Sequence, residues 1–328
     1  TYKIFENRII IYAVKNGDNY TSKMINLDVE LSALLGKPLY EKIDKPSFCA
    51  YHFLTVKPER LIIKSTNGLE RNPSQIIDLG FGILYDPAKA PHILLAGGTG
   101  SGKSIFIEIL IIQFLQVGDV GDDIPEVYIC DPKNSDLSQL SHYFDETHVS
   151  SSLNGIAKIC RLVVEEMEAR YEFMQENFKY GSSYVDHDLL PVWLVFDEMG
   201  GFQTNGSDKN SKAIVNETMD YIRQIILKGR QAGVFVLISS QQMSANTLNT
   251  DLRDNLGLRV ALGSNSTEGY KMVFGSASPT PQPIEEKGAG FLYLQGSGKE
   301  TAQYYEAPWV DREKYNFIEE ITKYTSVS

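Results

Sequence analysis

The sequence has few cysteines, and their scarcity excludes two ways of holding a chain together. Three occur in 328 residues, Cys49, Cys130 and Cys160. Their spacing matches neither a metal-binding pattern nor an even-numbered disulfide framework. We therefore interpret the chain as a protein of a reducing, cytoplasmic environment that is folded around an apolar core.

Long apolar runs are also lacking, which argues against a membrane span within this sequence. The most apolar window, Ile105 to Leu115, is interrupted by Glu108 and Gln113. It is too short to cross a bilayer, which takes about 20 residues. No secretory signal peptide is recognisable. Because the sequence starts at Thr1, we expect it to be cut from a longer protein that carries further segments.

An excess of positive charge is absent as well. Lys and Arg total 31 against 42 Asp and Glu, so the formal net charge is −11. This balance argues against a protein that coats nucleic acid indiscriminately. It does not exclude DNA, because a few cations on one inner surface are enough to contact the phosphate backbone.

The most informative feature present is a glycine-rich turn between an apolar run and a stretch of helical length. It fits the pattern G-x-x-x-x-G-K-[ST], in which backbone N–H groups and a helix N-terminus surround phosphate oxygens. Lys103 would reach the terminal phosphates and Ser104 would offer a hydroxyl to Mg²⁺. A chance match is the alternative, but strand, loop, lysine and helix agree. The predicted nucleotide-binding residues are Gly97, Gly98, Thr99, Gly100, Ser101, Gly102, Lys103 and Ser104.

Alternation of buried strands with long helices predicts an α/β fold whose sheet is mainly parallel and covered on both faces. The predicted strands are 127–130, 192–196 and 234–238, and the predicted helices are 153–179 and 212–230. Ile76 to Tyr85 is predicted as a strand that leads to the glycine-rich turn. We expect two domains, a small α/β domain over residues 1–75 and a larger one over 76–328. The small domain contains no recognisable chemical site.

Two acids, Asp197 and Glu198, directly follow the predicted strand 192–196. Carboxyl ends of parallel strands meet at one edge of a sheet, so both carboxylates are expected beside the glycine-rich turn. In P-loop ATPases the first acid holds Mg²⁺ through water and the second polarises the attacking water. A solvated strand end is the alternative, which the nearby phosphate motif disfavours.

Gln241 follows the strand 234–238 and either senses the terminal phosphate or caps the strand end.

Several short segments together resemble the FtsK/SpoIIIE motor ATPases in order and approximate spacing. They are His92–Ser104, Asp131–Lys133, Glu166–Tyr171, Val195–Glu198, Lys228–Gly233, Ser239–Gln241 and Asp254–Ala261. The resemblance covers roughly residues 76 to 305. The stretch 31–38 and the small leading domain look more like the coupling ATPases of Gram-positive conjugative elements than the chromosome-segregation motors.

The resemblance implies a RecA-like P-loop NTPase core that assembles as a homo-hexameric ring around double-stranded DNA, with ATP and Mg²⁺ held between subunits. Lys103 and Ser104 would bind phosphate and Mg²⁺, Asp197 would hold the metal, and Glu198 would be the catalytic acid. Arg230 falls on the arginine that the family supplies across the subunit interface, where a guanidinium stabilises the transferred phosphoryl group. Its alternative role is a cation at a helix C-terminus.

The sequence indicates DNA-contacting residues less clearly than nucleotide-binding ones. Arg253 and Lys271 fall on positions that are basic in the DNA translocases, and either residue could instead be an ordinary surface charge. Gln242 stands where those translocases commonly place an arginine. The family's C-terminal winged-helix domain is not present, which weakens the chromosome-segregation interpretation.

The sequence is therefore interpreted as an ATP-driven translocase of double-stranded DNA that serves as the coupling ATPase of conjugative transfer. Its expected location is the cytoplasmic side of a membrane, tethered through segments outside this sequence. A relaxase and the proteins of the transfer channel are the expected partners. One alternative is a type VII secretion ATPase, whose cargo is protein, and another is a chromosome-segregation translocase. A scaffold that binds nucleotide without hydrolysing it is disfavoured by the intact Asp197-Glu198 pair.

Overall fold

The computed structural model describes residues 1–66, 72, 74–118, 123–204, 206, 208–243 and 248–325. The chain begins with β1 (Tyr2–Ile4), β2 (Arg8–Val14), α1 (Thr21–Ile25), α2 (Asp28–Leu35), β3 (Glu41–Asp44) and β4 (Phe48–Leu54). The four strands form an antiparallel sheet in the order β1-β2-β4-β3. Alternating residues of β4, Cys49, Tyr51 and Phe53, pack against apolar side chains of both helices. The Tyr51 hydroxyl donates to the carbonyl of Met24 at 2.7 Å, which ties α1 to the sheet.

The larger part of the chain contains strands alternating with helices. Its strands are β5 (Ile62–Ile63), β6 (Ile77–Asp78), β7 (Leu84–Tyr85), β8 (Ile93–Gly97), β9 (Glu126–Cys130), β10 (Val149–Ser150), β11 (Val192–Phe196), β12 (Val234–Ser240), β13 (Leu258–Leu262), β14 (Ala289–Leu294), β15 (Gln303–Glu306) and β16 (Trp309–Val310). Its helices are α3 (Lys103–Gln116), α4 (Leu153–Glu176), α5 (Met199–Thr204), α6 (Lys209–Ala232), α7 (Thr250–Arg253), α8 (Thr267–Phe274) and α9 (Phe317–Ile321).

Eight of these strands form the central sheet, in the order β10-β9-β11-β12-β8-β13-β14-β15. Pairing is parallel from β10 to β13 and antiparallel from β13 to β15. α4 and α6 pack on one face, and α3 packs on the other. Because both faces are covered, β8, β11 and residues 234–238 of β12 are apolar throughout. The prediction of a mainly parallel α/β sheet is confirmed.

α3 is the buried helix that follows the glycine-rich turn, and it contains the most apolar window of the sequence. Nearly every side chain between Ile105 and Gln116 is buried in the core. Its apolar character is therefore that of an interior helix. Within the described part of the chain, no helix has both the length and the apolarity needed to cross a membrane.

The predicted strand Ile76 to Tyr85 is wrong as a single element. The structure forms an antiparallel hairpin of β6 and β7 instead. Gly80, Phe81 and Gly82 have φ angles of 68°, 55° and 73°, and three successive left-handed residues reverse the chain direction. The apolar pattern did not reveal this reversal because apolar residues continue through the turn, at Leu79, Phe81 and Ile83.

Between residues 60 and 64 the only strand is β5, which is two residues long. β5 pairs in parallel with β16 near the end of the chain, not with the preceding strand β4. Residues 62–63 thus contact the larger unit. The loop residues 67–71 and 73, which suggested the boundary near residue 75, lie outside the described residues, so the two-domain division stays a prediction.

Candidate functional site

The glycine-rich turn joins the C-terminal end of β8 to the first turn of α3, at the predicted position. Gly100 and Gly102 have φ angles of 80° and 97°, which glycine adopts without steric cost. A Cβ atom on Gly102 would lie 3.0 Å from the Cα of Gly288 and 3.1 Å from the ring of Trp309. The N–H of Gly288 donates to the carbonyl of Ser101 at 2.8 Å. These contacts fix the turn from behind and leave its front open.

Lys103 is buried at the first position of α3 and points toward the acid at the end of β11. Its Nζ donates to Asp197 Oδ1 at 2.8 Å and to Ser239 Oγ at 3.0 Å. Ser239 also donates to Asp197. The hydroxyl of Ser104 is exposed one residue further along the helix. A hydroxyl and a carboxylate are the hard oxygen donors that Mg²⁺ takes, so these residues fit that ion.

Glu198 is the second acid, and it lies at a backbone position with φ of 53°. Its side chain is 7% exposed. Ser240 Oγ donates to Oε1 at 3.0 Å, and the backbone N–H of Gln241 donates to Oε2 at 3.1 Å. Lys133 Nζ lies 2.9 Å from Oε2. The carboxylate is therefore held by Ser240 at the end of β12, by Gln241 directly after it and by one lysine from the loop after β9.

These groups converge on an open cavity of about 290 Å³. Gly98, Thr99, Gly100, Gly102, Lys103, Ser104, Ile105, Lys133, Ser135, Asp197, Glu198, Gln241, Lys287 and Arg312 line it. A cradle of backbone N–H groups with several cations suits a polyphosphate. The structure thus brings together the predicted turn, both acids and Gln241.

The sequence interpretation missed three cations of this cavity. Lys133 follows a buried strand, as Asp197 does, and that position could have identified it. Lys287 and Arg312 come from distant segments and carry no local signal.

Burial raises the pKa of Glu108, on α3, to about 7, although Arg312 nearby acts in the opposite direction.

Arg230 lies away from this cavity. It is exposed in the last turn of α6, where its Nε donates to the carbonyl of Ala88 at 2.8 Å. α6 leads into the N-terminal end of β12, whereas the cavity lies at the C-terminal end of that strand. Seven residues of strand separate the two ends, a distance of about 20 Å. Arg230 is therefore placed at the opposite sheet edge from the phosphate-binding turn of its own chain.

The two predicted DNA contacts lie next to each other. Arg253 Nη1 donates to the carbonyl of Lys271 at 3.3 Å, and Arg253 Nη2 pairs with Asp254 at 3.0 Å. The Arg253 side chain is only 12% exposed, so these contacts inside the chain occupy its guanidinium. Lys271 is exposed. DNA binding by this pair stays a prediction, with Lys271 the more accessible member.

The sequence profile of the FtsK/SpoIIIE family matches residues 65–262. The chain belongs to the FtsK/SpoIIIE family. YdcQ of Bacillus subtilis (strain 168), an FtsK domain-containing protein, is 31% identical over 326 residues, which cover 98% of this chain and 63% of YdcQ. The DNA translocase SftA of the same organism is 27% identical over 66% of this chain and 23% of its own length. This FtsK/SpoIIIE chain thus spans less than two thirds of either relative.

Two solved structures show the same fold. The pCW3 conjugation coupling protein TcpA, in a monomer form with ATPγS, superposes with a TM-score of 0.67 at 18% identity, over 98% of this chain and 92% of TcpA. EssC (ATPases 2 and 3) from Geobacillus thermodenitrificans superposes with a TM-score of 0.60 at 16% identity, over 83% of this chain and 51% of that one. The predicted P-loop core of the FtsK/SpoIIIE class is confirmed.

Proposed function

We propose that this FtsK/SpoIIIE protein is a Mg²⁺-dependent ATPase that moves double-stranded DNA as a ring of identical subunits. The observation that carries the proposal is the convergence of Lys103, Asp197 and Glu198 on one phosphate-sized cavity, with Arg230 exposed at the opposite sheet edge. One subunit would supply the cradle and the acids, and its neighbour would supply the guanidinium. Such sharing couples hydrolysis to assembly.

The reaction would be an in-line attack of water on the γ-phosphorus of ATP. Glu198 takes a proton from the water as the new P–O bond forms, and the bond to the β,γ-bridging oxygen breaks to release ADP. Lys103 leaves Asp197 for the β- and γ-phosphates, and Ser104 and Asp197 are then free to hold Mg²⁺. The ion supplies charge neutralisation on the phosphates.

The conjugative role is the more specific part of the proposal. TcpA is a conjugation coupling protein, and its fold matches this chain over nearly its full length, the small leading unit included. SftA and FtsK are DNA translocases, which supports double-stranded DNA as the cargo. A relaxase, transfer-channel proteins and attachment to a membrane through other segments belong to the same proposal. Export of protein is the competing function, supported by the fold of the type VII secretion ATPase EccC.

The test is Mg²⁺-dependent ATP hydrolysis with and without linear duplex DNA at moderate salt, followed by displacement of a triplex strand. Duplex DNA should stimulate hydrolysis and drive displacement. E198Q should keep ATPγS binding and lose hydrolysis by at least about 100-fold, because the proton acceptor is removed. E165Q, which changes an exposed glutamate of α4, is the matched control.

Three results would count against the proposal. Turnover that survives E198Q would show that another group is the base. Indifference to DNA combined with stimulation by a secretion-signal peptide would favour protein export. Binding of ATP with no hydrolysis under any condition would favour a nucleotide-dependent scaffold.

A further inference from the structure

The loop after β9 holds Lys133 at the edge of the nucleotide cavity. Asp131, fully buried at the start of this loop, accepts hydrogen bonds from the N–H groups of Lys133 at 3.2 Å, Ser135 at 2.6 Å and Ser138 at 3.0 Å. The Ser135 hydroxyl adds a further bond at 2.8 Å. The backbone of Lys133 is therefore fixed, whereas its side chain is 41% exposed.

In this state both carboxylate oxygens of Glu198 accept hydrogen bonds from protein donors. Oε1 accepts from Ser240 Oγ at 3.0 Å and from the N–H of Gln241 at 3.3 Å, and Oε2 accepts from the same N–H at 3.1 Å and from Lys133 Nζ at 2.9 Å. These four contacts match the roughly four lone-pair sites of a carboxylate. A general base must direct a free lone pair at the water that it deprotonates. One of these donors must therefore leave before Glu198 can act.

Lys133 is the donor best able to leave. Ser240 and Gln241 are fixed by the backbone of β12 and its end, whereas a lysine ammonium is a point charge on a flexible chain. Both Lys133 and the phosphate-binding turn line the same cavity. A terminal phosphate carries more negative charge than one carboxylate, so it competes for the ammonium when a triphosphate enters.

We propose that Lys133 exchanges partners with nucleotide state. It pairs with Glu198 when the cavity is empty or holds a diphosphate, and it pairs with the terminal phosphate when a triphosphate is bound. The exchange frees Oε2 of Glu198 to accept a proton from water. Lys133 is thus a positioning residue for the base and a contact that distinguishes ATP from ADP. This inference rests on the proposed ATPase function.

The first test is the affinity of K133M for ATPγS and for ADP in the presence of Mg²⁺, measured by titration calorimetry. Loss of one charge-assisted contact to the terminal phosphate should weaken ATPγS binding by about 10- to 50-fold. ADP binding should change by less than about threefold, because ADP leaves Lys133 on Glu198. K133R should restore most of the ATPγS affinity. K158M, at an exposed lysine of α4, should bind both nucleotides like the wild type.

The second test is a double-mutant cycle with E198Q. Replacing the carboxylate weakens its hold on Lys133, so E198Q alone should bind ATPγS about two- to fivefold more tightly than the wild type. In the K133M background the same substitution should leave ATPγS affinity unchanged. A coupling of this sign is not expected from a lysine that only supports the loop.

Equal losses of ATPγS and ADP affinity in K133M, or no loss of either, would overturn the partner exchange while leaving the ATPase proposal intact. Circular dichroism of K133M and K133R verifies that each variant is folded, and K133Q, which also removes the charge, provides the measurement if K133M is not folded. A wild-type chain that binds no ATPγS would overturn the proposed function itself, and the exchange with it.

Discussion

Gly229 lies near the end of α6, where helix propensity alone favours alanine by about 1 kcal/mol. The structure reverses that expectation. A Cβ atom at Gly229 would lie 2.1 Å from the carbonyl oxygen of Val234 and 3.5 Å from His92 Cε1. G229A should therefore lower the free energy of unfolding by about 2 kcal/mol or more, because α6 and β12 would have to separate. Urea denaturation measures the change.

Gly17 supplies the matched control for this substitution. It has a φ angle of 72°, and a Cβ atom there would meet nothing within 4 Å. G17A should lower the free energy of unfolding by only about 1 kcal/mol, the backbone strain of an alanine in the left-handed region. If G229A proved as stable as the wild type or more stable, the close contact between the helix end and β12 would be wrong.

His92 is a second buried residue whose chemistry depends on this junction. Its Nδ1 accepts from the N–H of Val236 at 3.2 Å, and its Nε2 lies 3.1 Å from the carbonyl of Ile226. Burial lowers the pKa of His92 to about 3 from its ordinary 6.5, and the Ile226 carbonyl offsets this only in part. The folded protein thus holds a neutral imidazole that takes up a proton on unfolding below pH 6.5.

The expected consequence is a stability that falls on acidification. The contribution of His92 to the free energy of unfolding is complete above about pH 6.5. It is lost as the pH falls toward 3, at up to about 1.4 kcal/mol per pH unit. H92Q keeps a donor and an acceptor without this titration. Urea unfolding at pH 5, 6, 7 and 8 should show the wild type losing stability faster than H92Q below pH 6.5. Parallel pH profiles for the two proteins would contradict the buried neutral imidazole.

At the same scale, the candidate site was predictable wherever one local pattern specified a residue. Gly97 to Ser104 form a contiguous motif, and Asp197 and Glu198 follow a strand whose apolar residues identify it. Lys287 and Arg312 enter the cavity from loops far along the chain, and their position depends on tertiary packing. Lys133 was present within a recognised segment, but its contact with Glu198 required the pairing of β9 with β11.

At the scale of elements, the long helices and central strands were predicted because their apolar periodicity is strong. α4 and α6 lie within a few residues of the expected bounds. On α4, Arg170 Nε pairs with Glu166 at 2.7 Å, the i,i+4 spacing at which helical side chains meet. The pairing of the shortest strands was not predicted. β5 exists only through its pairing with β16, which no local pattern encodes.

The loop between β14 and β15 attaches the small leading unit to the central sheet. Lys299 Nζ pairs with Glu41 at 2.8 Å, and the Glu41 side chain is 2% exposed. Lys45 pairs with Glu300 nearby, but both of those side chains are nearly half exposed. K299A removes the lysine that pairs with the buried Glu41 carboxylate. The free energy of unfolding should therefore fall by about 1–3 kcal/mol, a range that allows for the partial exposure of Lys299.

K45A is the control for K299A, because an exposed pair contributes about 0–1 kcal/mol. Limited proteolysis and hydrogen exchange of β3 and β4 should show faster opening in K299A and little change in K45A. Equal effects of the two substitutions would mean that the buried carboxylate does not depend on Lys299.

At the scale of the whole molecule, the two halves of the proposed catalytic site face opposite edges of one sheet. Arg230 is exposed about 20 Å along β12 from the cavity that contains Lys103 and Glu198. A single chain therefore lacks a guanidinium from α6 in its own site. Head-to-tail assembly would bring Arg230 of one subunit to the cavity of the next, which is a heterologous contact that closes into a ring.

This arrangement predicts complementation between two inactive variants. R230A keeps an intact cradle, and K103A keeps an intact Arg230, so each should hydrolyse ATP at least about 1,000-fold more slowly than the wild type. In rings assembled from equal amounts of both, about a quarter of the interfaces combine an intact cradle with an intact arginine. The mixture should recover up to about a quarter of the wild-type rate if sites act independently.

The two variants are co-expressed with different tags, and tandem purification ensures that the assayed rings contain both. R223A, at an exposed arginine elsewhere on α6, should hydrolyse ATP at the wild-type rate. Full activity of R230A alone would remove the arginine from the mechanism. Verified mixed rings that remain inactive would mean that Arg230 does not complete a neighbour's site, since shared sites require recovery at the interfaces where the two intact halves meet.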